Sequence, residues 1–248
     1  MEPDIRLVVS TAIFTAVVFV FTVIVAISIP ATRGFWNVGE AGVYIAALIG
    51  GPIVGAIAGG VGSALADIVL GYAIYAPGTL VIKGCEGLIT GYLYQTLTQR
   101  DEGRKGVVLS LCMLLGILAL LIFSLAYFGL TQSSVTVELS SEPLHVSVVF
   151  EISPAVILIT AIAVGIVALV LLLLGKETPI MVFSCLVGGI VMVLGYFAYE
   201  AAIMGGAVAL VEVLPNFMQV IIGIIIAIPV VRRLREMGLE AESRRPVG

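Results

Sequence analysis

The chain has 248 residues, of which 60% are hydrophobic and only 11% are charged, and its mean hydropathy is +1.21. This composition excludes an ordinary soluble domain and predicts a membrane protein. The net charge of −4 argues against a nucleic-acid partner, because phosphate binding needs a basic surface.

Several apolar stretches without Asp, Glu, Lys or Arg are each long enough for about 20 residues of spanning helix. Continuous apolar runs favour helices over a β-barrel, whose strands alternate in polarity. The first stretch follows an acidic start and lacks the cleavage site of a secretion signal, so we interpret it as a retained helix. The sequence therefore predicts an all-α, polytopic transmembrane bundle with helices near 6–29, 38–50, 52–70, 77–97, 107–130, 153–175, 180–200 and 213–233.

The second predicted helix is short for a membrane span, so we expect it to be tilted or partly re-entrant. In the third, Gly51, Gly55 and Gly59 recur every four residues, which favours close approach of another helix. Residues 131–152 alternate in polarity around a Ser-Glu-Pro turn and predict a small β-hairpin outside the membrane.

The basic residues indicate the orientation of the bundle. Ten of the 12 Lys and Arg residues fall on the side of the N-terminus, whereas Arg33 lies on the other side and Lys83 within a helix. Positive charges in short connections mark the cytoplasmic face. We therefore expect a multi-pass protein of the cell membrane with both termini in the cytoplasm.

Four ionisable residues interrupt the predicted membrane helices, namely Asp67, Lys83, Glu86 and Glu200. Each such charge costs roughly 2.5–3.5 kcal/mol near a helix centre, so it usually faces a partner or a wet cavity. Lys83 and Glu86 are three residues apart and can pair, and Asp67 is expected to supply a second partner. We assign Lys83 to a pocket, while for Asp67 and Glu86 a packing network and ligand binding both stay open.

Aromatic and amide side chains concentrate at the outer ends of several predicted helices. Such rings often form only an interfacial belt, but their convergence with amides and carboxylates at one depth favours a ligand pocket. The substrate-binding candidates here, beside the ionisable residues, are Trp36, Asn37, Tyr72, Tyr75, Tyr196, Asn216 and Gln219. Three scattered cysteines and a single histidine show no metal-site spacing, so we expect neither a metal nor a cofactor.

The region 35–92 resembles the central part of the S components of energy-coupling-factor (ECF) transporters, especially the riboflavin-type group. The resemblance is carried by N-x-G-[DE]-A-G-V-Y at 37–44, G-G-P-I-V-G at 50–55, S-A-L-A-D at 63–67 and Y-A-P-x-T-L-x-I-K-G-x-E-G at 75–87. Residues 192–200 and 215–223 are also similar to the family. Glu40 and Tyr44, in the first of these motifs, join the substrate-binding candidates.

The resemblance implies a six-helix substrate-binding subunit that captures a vitamin outside the cell, closed by the outer loops 31–40 and 71–76. It also implies as partners a transmembrane coupling subunit, which would contact Ala12 and Ala16 on the first helix, and two ATPase subunits. Against the six-helix pattern, the chain divides into core helices 1–4 at 1–105, an inserted helix pair with its hairpin at 106–178, core helices 5–6 at 179–235 and a cytoplasmic tail at 236–248.

Three functions compete at this point. The leading hypothesis is a vitamin-capture subunit, with riboflavin as the first compound to consider. The alternative is a stand-alone, ion-coupled transporter in which Asp67, Lys83 and Glu86 carry protons or ions. An enzyme is not expected, because the sequence contains neither H-E-x-x-H nor G-x-S-x-G.

Overall fold

The computed structural model describes residues 5–29, 32–99 and 177–238. Within these ranges six helices and two strands follow one another in the order α1 Ile5–Ile24, β1 Ala26–Ile29, β2 Gly34–Asn37, α2 Gly39–Gly50, α3 Pro52–Val69, α4 Ala76–Thr98, α5 Thr178–Met204 and α6 Gly206–Glu236. All of them belong to one compact unit. The predicted helices 107–130 and 153–175 and the hairpin 131–152 lie outside the described residues.

Four of the described helices are long and apolar enough to cross a membrane, namely α1, α3, α5 and the Val208–Glu236 part of α6. Helix α2 is apolar but shorter, and α4 carries Lys83 and Glu86. The prediction of a helical, multi-pass membrane protein is confirmed.

The first helix ends earlier than the sequence predicts. It stops at Ile24 instead of continuing to residue 29, and Ala26–Ile29 pairs antiparallel with Gly34–Asn37. The run Val23-Ile24-Val25 and the alternate isoleucines beyond it are β-branched, which favours an extended backbone once a partner strand is available. No Gly or Pro interrupts the apolar run before Pro30. The hydropathy of this run therefore did not reveal the change from helix to strand.

Helix α2 lies in the interior of the described bundle. All of its residues from Gly39 to Ile49 are buried, and it packs against α1, α3, α4 and α6. Twelve helical residues extend about 18 Å, well short of the roughly 30 Å hydrocarbon core. A helix that is apolar on every side is typically buried in this way.

Helices α3 and α4 cross at unusually close range through small residues. A Cβ atom added to Gly55 would lie 2.7 Å from the carbonyl oxygen of Gly87, and one added to Gly59 would lie 2.8 Å from that of Lys83. The predicted close packing of the glycine face is therefore confirmed at Gly55 and Gly59, whereas a Cβ at Gly51 would have no atom within 4 Å. This crossing fixes α4, which carries the buried charges, against α3.

The last helix begins earlier than predicted. It starts at Gly206 rather than at 213, and it continues through Pro215 and Pro229. The break from α5 is a single residue, Gly205, whose φ of 94° lies in the region that favours glycine. Pro215 is a typical residue for a helix start, which is why the sequence placed the start near it. Glu212 consequently lies inside the helix.

Candidate functional site

One face of α4 carries a line of buried polar side chains. Thr79, Lys83, Glu86 and Thr90 follow one another at spacings of three or four residues, so they share a face. Each is at least 90% buried. The polar face of α4 therefore points into the bundle.

A second polar face lies on α6. Glu212, Asn216 and Gln219 are buried at the same helical spacing, and Gln219 Nε2 donates a hydrogen bond to Asn216 Oδ1 at 3.3 Å. One turn further on, Gly223 meets α2, since a Cβ there would lie 3.0 Å from the Tyr44 ring. The two polar faces thus approach the same central helix.

Lys83 lies between two carboxylates in the middle of the bundle. Its ammonium pairs with Glu40 of α2 and with Glu86 Oε2, the latter at 3.3 Å. All three side chains are at least 95% buried. We call Glu40, Lys83 and Glu86 the central ion cluster. Tyr44, one turn after Glu40, is fully buried and close enough to Glu86 to interact with it electrostatically.

The prediction that Asp67 is the second partner of Lys83 was wrong. Glu40 takes that place, and no ion pair joins Lys83 to Asp67 among the described residues. Asp67 lies instead beside Thr79 on α4. Which carboxylates meet Lys83 depends on how α2 and α3 pack against α4, and a single sequence does not specify that packing.

Tyr196 of α5 connects the central ion cluster to the next polar layer. The Lys83 ammonium lies 5.7 Å from the centroid of its ring, a distance typical of a cation–π contact. Its hydroxyl donates a hydrogen bond to Thr79 Oγ1 at 2.9 Å. The Tyr196 hydroxyl also interacts electrostatically with Asp67, Glu86 and Glu200.

Three further buried carboxyl groups lie toward the β1–β2 hairpin. Asp67 of α3, Glu200 of α5 and Glu212 of α6 are 4%, 2% and 3% exposed. All three interact electrostatically with the Tyr75 hydroxyl, and Glu200 interacts with Glu212. We call these three residues the hairpin-end carboxyl cluster. The described elements thus hold five buried carboxyl groups and a single buried ammonium, of which only Glu40 and Glu86 pair with that ammonium.

The hairpin is hydrogen-bonded onto this carboxyl cluster. The Thr32 hydroxyl donates to the Glu212 carboxylate, and the Tyr75 hydroxyl donates to the Thr32 carbonyl at 2.7 Å. Burial raises the pKa of the Tyr75 hydroxyl, so it stays protonated and able to donate. Gly34 fits above this contact because a Cβ there would approach Glu212 and Tyr75 to within 3.0 and 3.2 Å.

Three of the predicted binding residues belong to the hairpin and its surroundings. Trp36 lies opposite Ile27 on the sheet and is partly buried. Tyr72 stacks on Phe35 with ring centroids 4.5 Å apart, and Asn37 Oδ1 accepts a hydrogen bond from the Gly39 amide at 2.8 Å. These contacts hold the hairpin and the start of α2. The three residues therefore form a group apart from the binding candidates in the interior.

The other predicted binding residues converge in the interior. Asn216 and Gln219 lie on α6. The rest belong to the central ion cluster or the hairpin-end carboxyl cluster, or lie beside them. Several of their oxygens have no hydrogen-bond partner within the described part of the chain, namely Glu40 Oε2, Asp67 Oδ2, Glu86 Oε1 and Glu200 Oε2. Buried oxygens normally have a donor, so this interior suits a solute that is rich in donor groups.

Sequence reasoning missed Thr32, Thr79 and Glu212. Glu212 has a readable signal, because it is the sole charged residue between Glu200 and Arg232 in an apolar stretch. Thr79 has a weaker one, as it lies one turn before Lys83. Thr32 offers none, since a threonine in a predicted loop is ordinary.

The two alanines predicted for partner contact lie on an open helix face. Ala12 and Ala16 are exposed, and only Val18 and Thr22 of α1 are buried. Residues four apart share a helix face, so the two alanines form a small-residue strip on the outside of the described bundle.

Comparisons with known proteins agree with this architecture. A family profile described as ECF-type riboflavin transporter, S component, matches residues 3–176. A protein of Pyrococcus woesei, described as an uncharacterized protein in the gap 3′ region, is 46% identical over 100 residues, which is 40% of this chain and 67% of that protein. Helices α5 and α6 lie beyond the matched part of the family profile.

Proposed function

Because the chain belongs to the family of S components of ECF-type riboflavin transporters, we propose that it is the substrate-capture subunit of an ATP-driven importer for a small vitamin or related heterocycle. S components are transport subunits rather than enzymes. ATP hydrolysis is assigned to two separate ATPase subunits, and a transmembrane coupling subunit connects them to this chain.

The observation that carries the proposal is the convergence of polar side chains from α2, α4, α5 and α6 inside an apolar bundle. Polar and ionisable groups within a membrane are costly and usually mark a substrate or ion pathway. Small-molecule sites combine apolar and aromatic walls with a few polar anchors. The interior of this bundle combines aromatic rings with a few polar anchors in the same way. The rings are Tyr44 and Tyr196, and the polar anchors are Asn216, Gln219 and the central ion cluster.

The central ion cluster supports a functional reading of the interior. Replacing a buried ion pair with well-packed apolar residues is often neutral or stabilising, so such a pair is weak evidence for a purely structural role. Here two carboxylates and one ammonium lie among apolar helices. Binding a polar solute is a reason for the bundle to keep them.

The proposed orientation places the hairpin and Tyr75 on the outer side of the cell membrane and both termini in the cytoplasm. Arg232, Arg233 and Arg235 end α6 at the opposite end of the bundle from the hairpin, which agrees with the excess of basic residues on cytoplasmic segments. The solute would enter beside the hairpin and be released toward the cytoplasm when the coupling subunit acts.

Ala12 and Ala16 are proposed as contacts for the coupling subunit. Helices associate in membranes through small residues that let backbones approach closely, and the exposed alanine strip of α1 provides such a surface.

The stand-alone, ion-coupled transporter is kept as the alternative because Asp67, Glu200 and Glu212 are buried without an ion-pair partner among the described residues. Reconstituting the purified chain alone in liposomes separates the two functions. Uptake of solute under an ion gradient without ATPase subunits would favour the alternative, whereas our proposal predicts uptake only with the coupling and ATPase subunits and ATP.

Purification of the chain in lipid nanodiscs tests the capture function itself. We expect native mass spectrometry to show one small heterocycle per chain, and solvent extraction to identify it. Riboflavin is the first compound to add if the protein is recovered empty. Failure to retain any compound, and failure to bind any vitamin in a broad panel, would contradict the proposal.

A further inference from the structure

The hairpin-end carboxyl cluster has no ion-pair partner within the described part of the chain. Asp67, Glu200 and Glu212 come from three different helices and are each at least 96% buried. The buried ion pairs described in the bundle both involve Lys83, which is already shared by Glu40 and Glu86. These three carboxyl groups therefore lack, among the described residues, the paired cation that keeps a buried carboxyl group ionised.

The hydrogen bonds of the cluster are incomplete as well. Glu212 receives the Thr32 hydroxyl, whereas Asp67 Oδ2 and Glu200 Oε2 have no donor among the described residues. A buried carboxylate oxygen without a donor is costly, and a donor that also carries positive charge compensates it best. A neutral ring system offers donors but lacks the positive charge that would stabilise the ionised carboxyl groups.

Aromatic rings lie beside the same carboxyl groups. Tyr75 interacts with all three of them, Tyr196 interacts with Asp67 and Glu200, and the Tyr75 and Tyr199 rings are 6.3 Å apart. Aromatic faces together with carboxylates are a typical environment for organic cations. A metal ion fits less well, because the described residues contain no group of three His, Cys, Asp or Glu side chains that could hold one.

From these observations we infer that the captured solute carries a positively charged nitrogen, either a protonated amine or a cationic ring nitrogen, that binds beside Asp67 and Glu200 beneath the hairpin. This inference rests on the proposed capture function and narrows its substrate class. The ring system of the solute would extend toward Tyr196, Asn216 and Gln219 and reach the central ion cluster, where Glu40 Oε2 and Glu86 Oε1 have no donor among the described residues.

Matched pairs of compounds that differ in charge test the inference. Pyridoxamine carries an ammonium where pyridoxine carries a hydroxyl, and because both rings can carry a protonated nitrogen, this pair tests the side-chain amine alone. Thiamine is the cationic counterpart of neutral thiochrome, and this second pair tests the ring nitrogen. We expect the chain in nanodiscs to bind at least one cationic member about tenfold or more tightly than its neutral partner, the factor expected for one charge-assisted hydrogen bond. Glu200→Gln is expected to remove most of this preference.

Glu236→Gln is the matched control, because Glu236 is exposed and lies outside the site; it should leave the preference unchanged. Asp67→Asn replaces Glu200→Gln as the test variant if the latter does not fold. Binding of riboflavin or of the neutral partners without any preference for the cations would overturn the inference and leave the capture function intact. An absence of saturable binding by every compound, riboflavin included, would overturn both.

Discussion

Lys83 lies at the centre of the buried polar contacts of the bundle. Its ammonium is buried between Glu40 and Glu86 and lies above the Tyr196 ring. Removing one member of a buried charge group leaves the others uncompensated, whereas replacing the whole group with well-packed apolar side chains of similar size is often neutral or stabilising. Stability and binding can therefore be separated by the choice of variant.

We expect Lys83→Met to lower the free energy of unfolding by about 3–5 kcal/mol, because Glu40 and Glu86 lose their cation. The triple variant Glu40→Met, Lys83→Met, Glu86→Met should recover most of this loss, because it leaves neither a buried charge nor a buried amide without a partner. Denaturant unfolding in detergent, followed by circular dichroism, gives the comparison.

Arg233→Met provides the control for this change, because its pair with Glu236 is exposed and is expected to contribute only about 0–1 kcal/mol. A Lys83→Met variant that loses no more stability than Arg233→Met would contradict this account. It would show that Glu40 and Glu86 do not need the Lys83 ammonium to balance their charge.

Part of this residue pattern could be predicted from the sequence. The three-residue spacing of Lys83 and Glu86 on one helix indicates their pairing. Glu40 as the other partner could not be predicted in this way, because contacts between helices depend on packing that one sequence does not report. Glu212 was missed for a different reason, since an error in the start of α6 placed it in a loop.

Among the elements, the β1–β2 hairpin is the one that covers the polar interior. It is attached through Thr32, which contacts both Glu212 and Tyr75. Among the residues that the structure describes, few hydrogen bonds connect it to the helices. Elements with few buried contacts open most readily.

We expect Thr32→Val to loosen the hairpin, because Glu212 would lose its donor while the side-chain shape is kept. Losing one such hydrogen bond costs about 1–3 kcal/mol, so amide hydrogen exchange in β1 and β2 should accelerate by roughly tenfold or more. Ser28→Ala is the control, since Ser28 lies in the same hairpin and is exposed. Equal exchange rates in the two variants would exclude the Thr32–Glu212 contact as the attachment.

The crossing of α3 and α4 is a second feature of the helices. The glycine repeat predicted the close approach of another helix, but it did not identify α4 as that helix. We expect Gly55→Ala to destabilise the protein by about 1–3 kcal/mol, because its Cβ would meet backbone that cannot move aside. A Cβ at Gly55 would lie 2.7 Å from the Gly87 carbonyl oxygen.

Gly206→Ala is the matched control for the crossing. Nothing lies within 4 Å of a Cβ at Gly206, so this change should be neutral or stabilise the protein by about 0.4–1 kcal/mol. Thermal unfolding of both variants checks the pair, and a Gly55→Ala protein as stable as Gly206→Ala would contradict the close approach of α3 and α4.

At the scale of the whole molecule, the polar interior and the exposed face of α1 are separate surfaces. The described bundle buries its charges on α2 to α6 and leaves Ala12 and Ala16 open. The sequence anticipated both features, the second through the family resemblance alone. The strand pairing and the order in which the polar faces meet required the three-dimensional arrangement.

This separation predicts that partner assembly and solute binding fail independently. Ala12→Trp should prevent co-purification of the coupling subunit, because a large ring blocks close helix approach, while binding of solute to the isolated chain is kept. Leu194→Trp, at an exposed site on α5, is the control and should assemble normally. Assembly of both variants would remove α1 from the interface.

The central claim is that the polar side chains inside the bundle hold one small solute. Equilibrium dialysis of the chain in nanodiscs, with the compound recovered from the native protein, tests this claim most directly. We expect one saturable site per chain in the wild type, and no saturable binding in the folded triple variant Glu40→Met, Lys83→Met, Glu86→Met. Unchanged affinity in that variant would contradict the claim and leave the central ion cluster with a packing role only.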